Sequence, residues 1–190
     1  MISLAASGAF TEAEPAPLRV GMLIAGVYRL RVTHIALNPG KEVFPTVEVI
    51  DRLYPPRGFE TRFAIPIELT QEDLELAIGG RFVTRVIYLE DPQQALPINQ
   101  DAKHTQWFDA GPGNDPLRLA DNLGRPVAIL RIGGRVPLEQ PGADPLMVGR
   151  TPALLRFGRP QPSQLIIEPD RPRNQQLDPA SPKTGIDGGQ

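Results

Sequence analysis

Apolar and polar residues alternate along Val27-Tyr28-Arg29-Leu30-Arg31-Val32-Thr33-His34-Ile35, the period-two rhythm of a half-buried strand. Asn38-Pro39-Gly40-Lys41 follows with turn chemistry: Pro presets φ at the second position and Gly accepts positive φ at the third. Val43-Phe44-Pro45-Thr46-Val47-Glu48-Val49-Ile50 then reads as the returning strand, with Pro45, which has no N–H, marking an edge or an irregularity. Arg62-Phe63-Ala64-Ile65-Pro66-Ile67-Glu68-Leu69 is expected as a third strand under the same Pro restriction. The period then lengthens to that of a helix. Thr70 can cap it, Asp73 sits three residues on, Leu74 and Ile78 define the apolar stripe, and Gly79-Gly80 stops it. Arg81 to Leu89 follows as the strand richest in β-branched and aromatic residues.

Residues 90–114 form a long polar connection. Asp115-Pro116 reads as an N-cap followed by Pro at the first helical position, opening a short helix that Gly124 ends near Leu123. Pro126 to Ile132 predicts a further strand, and weak strands are expected around 146–157. The fold class that follows is mainly β: a β-sandwich or open barrel of about six to eight short strands with two short connecting helices. Residues 1–19 are expected as a loose N-terminal arm, 20–158 as the β-rich globular domain, and 159–190 as a Pro-rich extended tail. Within that tail Leu165, Ile166 and Ile167 are the one apolar anchor, suited to lying across another subunit or partner.

Composition removes most catalytic designs. The chain has no cysteine, so thiol catalysis and zinc–thiolate sites are excluded. No serine occurs between Gly8 and Pro162, which leaves a serine–histidine nucleophile without material in the expected folded region. Formal net charge is −2, no footprint for nucleic acid. Three of the 20 basic residues are Lys and the other 17 are Arg, a bias expected from a GC-rich genome. No apolar run approaches the roughly 20 residues that span a bilayer, and the first eight residues lack the basic start of a signal peptide. The chain therefore reads as cytoplasmic or as a mature, processed form.

His104, Trp107 and Phe108 lie together in the polar connection and are the candidate contact residues for a ligand or partner. An aromatic pair in a polar loop can stack on a sugar or anchor a protein; the expected placement is instead Trp107 folded back over an open end of the sheet. His104 with Asp109 is too small a set for zinc, and His34 is expected on a strand in a structural role. Glu72, Asp73 and Glu75 suit the positive end of a helix. Gly111-Pro112-Gly113-Asn114-Asp115 lacks a phosphate-binding Lys and reads as a turn. No catalytic residue, metal site or cofactor is expected.

The stretches Val27-Tyr28-Arg29-Leu30, Pro39-Gly40, Phe44-Pro45-Thr46-Val47-Glu48-Val49, Ile65-Pro66-Ile67-Glu68-Leu69-Thr70, Glu72-Asp73-Leu74, Phe82 to Leu89 and Ala128 to Gly133 together resemble a family of exported proteins abundant in planctomycete bacteria. The resemblance covers about residues 26–134 and is most specific from Ile65 to Leu89. It implies a cell-envelope location, periplasmic or extracellular, although the chain departs from the family in lacking a signal peptide and cysteines. The function expected is a non-catalytic structural or assembly component acting through protein–protein contacts, with other envelope proteins or further copies of itself as partners. The alternative is a ligand-binding β-sandwich module, with carbohydrate as its candidate ligand.

Overall fold

The computed structural model describes residues 1–6, 8–93, 95, 107–134 and 152–158. Its strands are β1 (Ile2–Ala6), β2 (Ala9–Phe10), β3 (Arg19–Met22), β4 (Val27–Val32), β5 (Thr46–Val49), β6 (Val83–Glu90), β7 (Gly124–Ile132) and β8 (Leu154–Phe157), with helices α1 (Gln71–Ile78) and α2 (Pro116–Leu123). Six strands make one sheet in the order β2-β1-β4-β5-β7-β6, and β3 with β8 makes a two-stranded ribbon. Every pairing is antiparallel. Val20, Met22 and Leu154 of the ribbon pack on the cluster built by Leu4, Leu30, Val47, Leu130 and Ile132 of the large sheet, so the two sheets share one core. The fold is mainly β with two short helices, as the hydrophobic pattern predicts. Met1–Arg159 forms a compact unit.

Local chemistry explains the elements. The turn after β4 closes with Lys41 N–H donating to the Asn38 carbonyl at 3.2 Å, and Gly40 takes φ +74 there, as the sequence demands. Pro45 interrupts the ladder between the Val32–Val43 bridge and β5. Thr70 caps α1 by accepting from the Asp73 N–H at 3.2 Å, and the helix inserts Leu74 and Ala77 into the core. Asp115 caps α2 through the Leu117 N–H at 2.9 Å, with Pro116 at the first turn. Gly124 joins α2 directly to β7. A Cβ there would fall 2.1 Å from the Leu89 carbonyl oxygen, so only glycine allows this close crossing.

Four expectations are corrected. Residues 1–19 are no loose arm: Leu4 is 1% exposed in β1, which pairs with β4. That also places Ser3 inside the folded unit, but its side chain is fully buried and cannot meet a substrate. β4 ends at Val32, leaving His34 exposed in a turn with φ 54. The segment 62–69 is no strand; Glu60–Phe63 is a 3-10 helix, and the extended stretch that follows has no ladder partner among the described residues. Ile67 and Leu69 still pack on the core, so the alternation is real although the strand is not. Composition does not set burial here: β6, the richest strand in β-branched residues, is a half-buried edge. The buried strand is β7, where Val127 to Leu130 and Ile132 are all buried, because neighbours flank it on both sides. The tail 159–190, with its anchor Leu165, Ile166 and Ile167, lies outside the described residues.

Candidate functional site

Capping fixes the first component of the site. With Thr70 at the N-cap, Asp73 enters the first turn of α1 and is 1% exposed. Such a carboxylate needs a partner, and β6 supplies it. Arg85 lies on the same sheet face as Val83 and Ile87, both packed on the core. Its Nη2 donates to Asp73 Oδ1 at 2.8 Å. Its Nε stands 2.8 Å from Oδ2, close enough for a strong ion pair but poorly aligned for a second hydrogen bond.

The guanidinium then serves a second neighbour. Its central carbon lies 5.2 Å from the centroid of the Trp107 ring, within cation–π range. A chain of contacts therefore runs Asp73–Arg85–Trp107, from the buried end of a helix to the surface. Trp107 is not the expected lid, being 62% exposed, and Phe108 beside it is 53% exposed. The indole instead rests over the guanidinium of Arg85, which Asp73 holds from its other side.

Trp107 and Phe108 form one wall of a groove of about 980 Å³. Its floor is the run Val83 to Tyr88, and α1, α2 and the segment around Pro66 contribute the remaining sides. Among the described residues no strand pairs with the outer edge of β6, so backbone groups there are open to an incoming chain. Glu68, Glu72, Glu90 and Asp109 also line the groove, and none of them forms an ion pair among the described residues. Asp109 does accept the Gly111 N–H at 2.8 Å. Tyr88 is held above its ordinary value of 10.0 by burial and by the charge of Glu90, so its phenol is a neutral hydrogen-bonding group at physiological pH. The groove is therefore apolar in its wall and anionic in its field.

Of the contact residues expected from sequence, the structure brings Trp107 and Phe108 together at this groove. His104 lies outside the described residues. Arg85, Asp73, Glu68 and Glu90 were not foreseen as site residues. A signal for the first two exists: an arginine in the core-facing register of an apolar strand requires a buried acid, and Asp73 is the acid beside the helix's own apolar stripe. Among the described residues no group of three or more His, Asp or Glu is placed to hold a metal ion, and no helix is long and apolar enough to cross a membrane. Comparison with family models, with curated proteins and with solved structures finds no match for this chain.

Proposed function

We propose that this chain is a non-catalytic protein-binding domain whose groove beside β6 receives a cationic, aromatic-bearing segment of a partner. The observation that carries the reading is the exposed Trp107–Phe108 wall sharing its groove with four carboxylates that form no ion pair among the described residues. Aromatic anchors in a water-excluding recess supply most of the energy of a protein interface. Rim charges of one sign accelerate encounter and select partners of the other sign. Arg85 contributes by holding the indole in place, since its own charge is matched by Asp73. The resemblance to exported planctomycete proteins makes a bacterial envelope the setting of this proposal.

Trp107 is the only tryptophan, so its fluorescence reports on the groove alone. Titrating the full chain with a synthetic peptide of alternating Arg and Phe should give a saturable emission shift that weakens with salt. The same peptide with Glu in place of Arg should give none. Silence toward the Arg–Phe peptide defeats the reading. A saturable response to a chito-oligosaccharide instead transfers the site to the carbohydrate-binding alternative.

A further inference from the structure

The loop between β5 and α1 has the opposite character to the groove. Its sequence Arg52-Leu53-Tyr54-Pro55-Pro56-Arg57-Gly58-Phe59-Glu60-Thr61-Arg62-Phe63 alternates cations with aromatic rings. Tyr54 is 70% exposed, Phe63 50% and Phe59 43%, although each ring is large enough to have been a core residue. Arg52 lies over Tyr54 at 4.7 Å and Arg62 over Phe59 at 5.5 Å. Arg52, Arg57 and Arg62 have no ion-pair partner among the described residues. The one acid within the run, Glu60, accepts the Gly58 N–H at 3.1 Å.

This loop is also held in shape. Arg125 of β7 pairs with Asp51 at its start, and Arg19 of β3 donates to the Thr61 carbonyl at 3.2 Å near its end. Phe59 N–H to the Pro56 carbonyl (3.1 Å) and Arg62 N–H to the Phe59 carbonyl (2.9 Å) close two turns inside it. A loop anchored at both ends loses little entropy when it docks. None of residues 52–63 lines the groove of their own chain.

We propose that the occupant of the groove is the 52–63 loop of a second copy of this chain. The inference rests on the groove reading above and adds the partner to it. Exposed arginines with exposed rings meet exposed carboxylates with exposed rings, and among the described residues neither set forms an ion pair of its own. Loop and groove are different surfaces of one chain, so each copy can both give a loop and receive one. Reciprocal exchange closes a two-fold dimer, and one-way exchange builds rings or open chains.

Light scattering on the full chain across a concentration series tests it. The weight-average mass should rise at least twofold with concentration in low salt and return to the monomer in high salt. Arg57→Glu with Arg62→Glu, or Glu68→Lys with Glu72→Lys, should each abolish association; all four side chains are exposed, and circular dichroism checks that folding is kept. An equimolar mixture of the two double variants should associate again, because the intact loop of one meets the intact groove of the other. A chain that stays monomeric at every concentration overturns the proposal. So does association that survives both double variants, including association lost only when 160–190 are removed. If the chain is monomeric while an Arg–Phe peptide still shifts Trp107, self-docking fails and the groove reading stands; if no peptide shifts Trp107, the groove reading fails as well.

Discussion

Single side chains in this molecule are held by more than one neighbour, and that makes their substitutions informative. Trp107 should emit as a solvent-exposed indole, because 62% of it is exposed and no other tryptophan contributes. Arg85→Ala removes the cation over its ring, so the expected outcome is a further red shift with lower anisotropy; an unchanged spectrum and anisotropy would show that Arg85 does not position the indole. Tyr28, 1% exposed, accepts the Leu23 N–H at 2.7 Å and donates to the Ala153 carbonyl at 3.0 Å. Tyr28→Phe removes both of these part-buried hydrogen bonds, at an expected cost of about 1–3 kcal/mol in urea denaturation. Asp51 is held below its ordinary value of 3.8 first by the Arg52 backbone N–H and then, against some desolvation, by Arg125. A lowered folded value means the stabilisation is present above the ordinary value and is lost as pH falls through the folded one. Asp51→Asn should therefore flatten the acid limb of a plot of urea midpoint against pH.

Among the elements, position in the sheet decides stability more than intrinsic preference does. β6 has the stronger strand composition, yet β7 has neighbours on both sides and carries Leu130 and Ile132 at 1% and 0% exposure. Leu130→Ala should cost about 2–5 kcal/mol, and Val86→Ala on the half-buried edge about 1 kcal/mol; equal losses in parallel melts would contradict this ranking. α1 is tied to β6 by one ion pair, with Asp73 buried and Arg85 partly exposed. Asp73→Asn weakens that pair at an expected cost of about 2–3 kcal/mol, between the ranges for surface and buried pairs. The caps of both helices, the Gly40 turn and the Pro45 irregularity were legible in sequence because each depends on contacts within a few residues. β1 was not. Ile2-Ser3-Leu4-Ala5-Ala6 has no alternation, since its strand is covered on both faces and its pairing with β4 spans about thirty residues. Trp107 and Phe108 were legible as a local oddity. Their support was not, because Asp73, Arg85 and Trp107 are distant in sequence and meet only through the fold.

For the whole molecule, the question is where the cooperative unit ends. β8 sits beyond the strands of the large sheet, yet it is stitched into that unit from several directions. Leu154 packs on the core, and four residues of β8 pair with β3 from Arg19–Phe157 to Met22–Leu154. Arg156 forms an ion pair with Glu14 and donates to Thr11 Oγ1 at 2.9 Å. The Ala153 carbonyl just before β8 is the acceptor for buried Tyr28. Removing β8 would strip the outer edge of β3, unpair Tyr28 and uncover Val20 and Met22 together. At roughly 1 kcal/mol for each hydrogen bond and 1–2 kcal/mol for partial exposure of each apolar side chain, the loss is on the order of 4–8 kcal/mol. That is comparable with the whole stability of a typical domain. Every core residue identified lies before position 159, so ending the chain after Arg159 should leave the denaturation midpoint unchanged. Ending it after Arg150 should abolish cooperative unfolding or lower the midpoint severely. If the shorter chain melted like the full one, the ribbon of β3 and β8 would have no part in the core. If ending at Arg159 cost as much as ending at Arg150, the cooperative unit would extend into residues 160–190, and the boundary drawn from the core would be wrong.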